Sequence, residues 1–153
     1  MWGTTRSGEP VEHVDRLVPI DELVEAAGQV DAIVATLPGT AHTTGLIGAD
    51  VLGAVRDDTI LVNVGRGTVV DEDALLDALD AGRIGFAALD VTAVEPLPTE
   101  SRLWEHPSVL LSPHTAALSV QEPRRIAELF AANATRLLDG EPMQNVMSTK
   151  EFY

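Results

Sequence analysis

Three residues have the types and settings to do chemistry on a small anion: Arg66, Glu95 and His114. Arg66 stands between Gly65 and Gly67, just past the apolar run Ile60-Leu61-Val62 and Asn63. A guanidinium offers a planar fork of donors that matches a carboxylate bidentately, and small neighbours leave its approach open. Glu95 lies in a Pro-rich loop after the apolar stretch G-F-A-A-L-D-V at 85 to 91, which carries Asp90 near its end. His114 follows Ser112-Pro113 at the close of Val109-Leu110-Leu111. A cation, a carboxylate and an imidazole in one cleft make acid/base chemistry on a small anion. Taken singly, each has a plainer reading: a surface charge in a turn, one more solvated acid, a satisfied core histidine. His13, His42 and His106 lack comparable settings and read as structural. The four histidines show no ligand spacing, so no metal site is expected.

Bringing the three together is a task for secondary structure. Met1 to Thr5 reads as the end of a strand, with Arg6-Ser7-Gly8-Glu9-Pro10 as the turn after it and Leu17-Val18 as a short strand. Asp21 to Ala27 reads as a brief helix closed by Gly28, with Leu23, Ala26 and Ala27 inward. Asp31 to Leu37 is a buried strand stopped by Pro38-Gly39, and a threonine-rich loop leads to a short helix near Ala49 to Val55. Asp71 caps a helix running to Ala81, with Ala74, Leu75, Ala78 and Leu79 on one face and Gly82 ending it. Pro123 opens a last helix that places Ile126, Leu129, Phe130, Asn133 and Leu137 on one face, and Gly140 ends it. Strands alternating with helices give α/β with a mostly parallel sheet. Parallel strands share a carboxyl edge, where ligands bind in such sheets, so the three strand ends can converge there.

Composition narrows the partners. At 153 residues and 45% hydrophobic, the chain is long enough for one globular domain with a real core. Its 24 acidic and 10 basic residues give a net charge of −14, and Lys150 is the lone lysine. Such a surface repels nucleic acid and anionic membrane. Salt screens its self-repulsion, which fits a salt-adapted cytosol; an ordinary acidic protein is the other reading. There is no cysteine, no apolar run of membrane-spanning length and no signal-like N-terminus, so the expected compartment is cytoplasmic.

Five segments together carry a family likeness. They are L-P-G-T-A-H-T-T-G-L-I-G at 37 to 48, L-V-N-V-G-R-G-T-V-V-D-E at 61 to 72, and A-A-L-D-V-T-A-V-E-P-L-P at 87 to 98, then L-S-P-H-T-A at 111 to 116 and L-L-D-G-E-P-M-Q-N-V at 137 to 146. In order and spacing the chain resembles the nucleotide-binding domain of the D-isomer-specific 2-hydroxyacid dehydrogenases. The resemblance implies hydride transfer between NAD or NADP and a small 2-oxo/2-hydroxy acid such as glyoxylate or hydroxypyruvate. It puts Arg66, Glu95 and His114 on the family's catalytic Arg, Glu and His: a carboxylate clamp, a partner that favours the imidazolium, and the acid/base. It puts Leu37, Pro38, Val64, Gly65 and Asp90 along the cofactor, beside Arg66 and His114 themselves.

The chain also departs from the family. Gly65-Arg66-Gly67 half-resembles a G-x-G-x-x-G phosphate loop, but position 70 is Val and the following helix opens Asp71-Glu72-Asp73, whose carboxylates compete with phosphate for the helix end. No true G-x-G-x-x-G occurs. The expected fold is therefore an α/β doubly wound parallel sheet, Rossmann-like, that begins inside its second strand. The first strand, the glycine loop, its helix and the substrate-binding domain are absent, and residues 1–153 form a partial dinucleotide-binding domain. At the end of the second strand stand Thr4-Thr5-Arg6-Ser7. Thr5 and Arg6 suit a 2′-phosphate, which leans toward NADP, against the plainer reading of a surface arginine. The isolated chain is expected to be inactive or weakly active. The alternative is a non-catalytic remnant or interaction module, a homodimer or a companion to full-length homologues through the family's dimer surface. The short segment from Met143 to Tyr153 reads as the family's usual end.

Overall fold

Leucine and alanine at helical spacing, and apolar residues alternating along short strands, set out the architecture. The computed structural model describes residues 1–147, so the closing segment from Met143 lies only partly within it, and Lys150 lies outside the described residues. The backbone divides into two units, Met1–His114 and a second beginning at Thr115.

The first unit holds two parallel sheets. Strands β1 (Trp2–Gly3) and β2 (Arg16–Leu17) pair with each other. Strands β3 (Ala32–Ala35), β4 (Thr59–Asn63), β5 (Ile84–Leu89) and β6 (Val109–Leu111) form the second sheet in that order. Every pair in it is parallel, with Ile33 opposite Leu61, Leu61 opposite Ala87, and Leu89 opposite Leu111. All carboxyl ends of that sheet therefore share one edge. Among the described residues no strand ladder joins the two sheets.

Helices α1 (Leu23–Ala27), α2 (Ala49–Ala54) and α3 (Glu72–Asp80) bring apolar faces to the sheet. Ala27, Val51, Leu52, Leu75 and Leu79 share one core with Leu61, Ala87 and Leu89. α3 begins and ends as its sequence dictates. The Asp71 carboxylate accepts the Ala74 N–H at 3.1 Å. At the other end Gly82, at φ 71°, donates to the Leu79 carbonyl while Arg83 donates to Ala78, a Schellman closure. Gly28 closes α1, as expected. It does so at φ −70°, outside the left-handed region, and an added Cβ would lie 2.9 Å from the Ala54 carbonyl oxygen. The position takes glycine because α2 crowds it.

The strand expected to be buried at 31 to 37 is shorter and only half covered. Ala35 is buried, yet Val34 is 60% exposed. Its neighbours on the same face, Ile60, Phe86 and Leu110, are exposed as well. The core described above covers the opposite face, so alternate residues along each strand divide between packing and solvent.

In the second unit, α4 (Glu122–Leu138) carries Pro123 in its first turn and ends at Gly140, φ 72°. Of the face expected to be apolar, Leu129 and Asn133 are half-buried, whereas Ile126, Phe130 and Leu137 are exposed. Asn133 pins the segment after the helix: its Oδ1 accepts the Gln144 N–H at 2.8 Å and its Nδ2 donates to the Gln144 carbonyl at 3.0 Å. No helix among the described residues is long and apolar enough to cross a membrane.

The two faces of the sheet give a direct test. Leu61→Ala, at a position with no exposed surface, should lower the unfolding free energy in a urea titration by about 2–5 kcal/mol. Leu110→Ala, on the exposed face, should change it by about 0.5 kcal/mol or less. Equal effects would refute this division of the sheet.

Candidate active site

The chemistry at the carboxyl edge is built on contacts between backbones. β4 ends at Asn63, which is 1% exposed. Its Oδ1 accepts the Gly65 N–H at 3.1 Å and its Nδ2 donates to the Arg66 carbonyl at 3.0 Å, closing the turn over itself. The glycines flanking Arg66 are required by what surrounds them. A Cβ on Gly65 would lie 2.5 Å from the Leu37 carbonyl oxygen, and one on Gly67 would lie 1.9 Å from the Thr92 carbonyl carbon. The Arg66 turn is thus wedged between the chain leaving β3 and the chain leaving β5. In the sequence those glycines read as open access for the guanidinium; in the fold their first task is this close approach.

Arg66 itself is exposed, and its Nη1 donates to the Gly65 carbonyl at 2.8 Å. Glu95 is held at both oxygens: Oε1 accepts the Thr92 N–H at 3.0 Å, and Oε2 lies 2.8 Å from His114 Nδ1. The Thr92 hydroxyl donates to the Val94 carbonyl at 2.9 Å, tightening the same turn. His114 ends the first unit at φ 55°, in the left-handed region, a conformation costing roughly 1–3 kcal/mol for a residue with a side chain. Its N–H donates to the Asp90 carbonyl at 2.9 Å, and the Asp90 N–H donates in turn to the Asn63 carbonyl at 3.0 Å. One chain of backbone hydrogen bonds therefore runs from the Arg66 turn to the histidine. His114 is no core residue, since its side chain is 47% exposed.

These contacts set the charge. The hydrogen bond from His114 holds the Glu95 carboxyl below its ordinary 4.5; the Thr92 N–H adds to this, and the Arg66 charge adds a little more. Glu95 is accordingly an anion at neutral pH, and since a carboxylate can only accept, His114 Nδ1 is the donor of their contact.

The other expected site residues fall into two groups. Leu37 and Pro38 follow β3, Val64 and Gly65 follow β4, and Asp90, which is buried, follows β5. All five therefore stand at the edge that carries the trio. Pro38 is fixed through its carbonyl, which accepts the Thr43 hydroxyl at 2.6 Å. Thr5 and Arg6 follow β1 on the separate two-stranded sheet, where the Thr5 hydroxyl accepts the Gly8 N–H at 3.1 Å. At the start of α3 the Asp71 carboxylate already takes the Ala74 N–H, for which a phosphate would have to compete. His106 is tied at the opposite edge: its Nδ1 accepts the Ser108 N–H at 3.2 Å and its Nε2 lies 3.5 Å from Asp80.

Sequence reasoning passed over Asn63, Thr92 and Glu72. Asn63 had a visible signal, as the polar residue closing an apolar run. Thr92 bonds only within its own turn, to Val94 and Glu95, whereas Glu72 had no signal because the Ala93 N–H that it accepts lies 21 residues away.

The first 116 residues match the family model described as "D-isomer specific 2-hydroxyacid dehydrogenase, NAD binding domain". The chain belongs to the D-isomer specific 2-hydroxyacid dehydrogenase family. Glyoxylate/hydroxypyruvate reductase A of Salmonella newport is 38% identical to this family member over 142 residues, covering 93% of the chain and 44% of the reductase. A D-isomer specific 2-hydroxyacid dehydrogenase from Xanthobacter autotrophicus Py2, solved with NADPH and MES, superposes with a TM-score of 0.90 at 36% identity, over 99% of this chain and 62% of that one. An NADPH-dependent glyoxylate/hydroxypyruvate reductase from Sinorhizobium meliloti, solved with NADP and sulfate, gives 0.89 at 31% identity, over 99% and 49%. The dehydrogenase-family chain thus spans about half the length of the curated relatives it matches.

Two outcomes follow for it. Glu95 titrates lower folded than unfolded, so its contribution to stability is present above pH 4.5 and is lost as pH falls through the lower folded value. Thermal melts should therefore lose less on acidification in Glu95→Gln than in the parent. Gly67→Ala should cost about 3 kcal/mol, because Thr92 must move to admit a methyl group. Chemical denaturation measures it, and a change under about 0.5 kcal/mol would mean the two backbones are not in contact.

Proposed function

We propose that this chain carries the nicotinamide-binding and acid/base half of an oxidoreductase that reduces a small 2-oxo acid, glyoxylate or hydroxypyruvate, to its D-2-hydroxy acid, with NADPH preferred. The observation that carries the reading is the 2.8 Å contact between Glu95 and His114 beside the wedged Arg66 turn. The names of the relatives support the substrate class, and the NADPH- and NADP-bound neighbours support the cofactor.

The residues fit the cofactor. The buried Asp90 and the exposed Val64 follow parallel strands that share one carboxyl edge, where nucleotides bind in such sheets. Arg6, after β1, offers a donor for a 2′-phosphate. When bound, the cofactor supplies the hydride that reaches the carbonyl carbon. The rest is done by side chains. Arg66 pairs with the substrate carboxylate and draws charge toward the carbonyl. As the imidazolium, His114 gives its Nε2 proton to the carbonyl oxygen as the hydride arrives and is left neutral with its Nδ1 hydrogen on Glu95; in reverse Nε2 takes the proton from the hydroxyl. Glu95 holds the ring through Nδ1 and balances the imidazolium. The products are the 2-hydroxy acid and the oxidised cofactor.

The test is NADPH oxidation by the purified chain with glyoxylate and hydroxypyruvate, in molar salt to screen the net charge of −14, after circular dichroism shows a folded protein. Slow turnover is expected. It should fall by roughly 10²–10⁴ in His114→Ala. Arg6→Ala should reduce the preference for NADPH over NADH about tenfold, the loss of one charge-assisted hydrogen bond. A folded chain silent with both cofactors would overturn the reading in favour of a non-catalytic remnant.

A further inference from the structure

We propose that Glu72 is a positioning residue for Glu95: its carboxylate grips the Ala93 N–H and so holds the turn that presents Glu95 to His114. The proposal gives Glu72 a part in the reaction proposed above, and it rests on that reading for the role of Glu95.

Glu72 is the first residue of α3, immediately after the Asp71 cap, and its Oε1 accepts the Ala93 N–H at 2.6 Å. That bond spans 21 residues and joins the segment that continues the Arg66 turn to the turn that carries Glu95. Apart from that bond and the Glu95–His114 contact itself, the bonds described for the Glu95 turn lie within it: Thr92 N–H to Glu95 Oε1, and the Thr92 hydroxyl to the Val94 carbonyl. Such local bonds shape a turn without fixing where it points. Gly67 sets how close the turn comes, through its contact with Thr92. Glu72 sets its rotation, because a charge-assisted bond to a backbone amide is short and directional. Ala93 to Glu95 are exposed, so water would compete for that amide if the carboxylate were absent. Glu72 has a helix start beneath it, which favours a carboxylate and keeps it in place.

Two variants separate reach from charge. Glu72→Gln removes the charge but keeps an oxygen that accepts the Ala93 N–H. Glu72→Asp keeps the charge but is one methylene too short. Both substitutions are mild at a first helical turn, and circular dichroism checks the fold. The primary readout is the titration of the Glu95 side-chain carboxyl by carbon-13 NMR on the whole chain, without substrate or cofactor. In the parent the bonds from His114 and Thr92 hold it below 4.5. In Glu72→Asp the midpoint should rise toward 4.5 as those bonds loosen, and in Glu72→Gln it should stay at the parent value or fall. Loss of a neighbouring negative charge by itself lowers a carboxyl, so a rise with Asp alone reports position, not charge. Where turnover is measured, kcat should fall roughly ten- to hundredfold in Glu72→Asp and recover in Glu72→Gln. An unchanged Glu95 midpoint in Glu72→Asp overturns the proposal, and so does an equal rise in Glu72→Gln. Absence of turnover in the parent counts against the oxidoreductase reading alone, since the titration needs no reaction.

Discussion

Backbone meets backbone at Gly67. No side-chain atom fits between its Cα and the Thr92 carbonyl, and the site depends on that exclusion. Gly65 makes the same kind of contact with Leu37 on the other side. An arginine between two such contacts cannot drift, although its own side chain is exposed, because its turn is held by the chain just past two other strands. Packed backbones have few alternative arrangements. A reactive group on a loop thereby acquires the precision of a group on a strand. The buried amide of Asn63 completes the arrangement by tying the turn to its own strand.

The electrostatics follow from position more than from burial. Glu95 and His114 are 40% and 47% exposed, and ion pairs of that exposure contribute little to stability. What the pair provides is orientation. Each carboxylate oxygen of Glu95 has a different partner, so the ring it faces has one favoured direction. The left-handed backbone of His114 belongs to the same arrangement. A strained residue persists only when its surroundings over-determine it, and the hydrogen bond to the Asp90 carbonyl is part of that surplus.

Much of this was legible in the sequence. The alternation of strands and helices, the Asp71 cap, the Gly82 and Gly140 stops and the three polar strand ends all depend on local patterns, and local patterns survive folding. Other features depend on residues distant in the chain. Gly28 reads as a helix stop and is one, but it is small because Ala54 lies against it. Gly65 and Gly67 read as access for a ligand but answer to Leu37 and Thr92. Ile33 and Val34 look equally apolar in a list, yet only the former packs against the core. On α4 the periodicity placed Asn133 on the right face without revealing that its amide holds Gln144. Spacing tells which residues share a face; it does not tell what that face meets.

Exposure also bears on how the trio can act. In water a cation and a carboxylate a few ångströms apart attract by about 1 kcal/mol, and the same pair in a drier setting attracts several times more strongly. Arg66 contributes only the smallest of the influences on Glu95, as an exposed charge should. Whatever covers this edge raises that influence without moving an atom, because displaced water no longer screens it. On the function proposed above, a 2-oxo acid seated on Arg66 would do part of the covering itself, and a nicotinamide ring beside Asp90 would do more. The trio would then strengthen as it is occupied. Its geometry has to be right beforehand, and the contacts at Gly67, Asn63 and Glu72 hold it so.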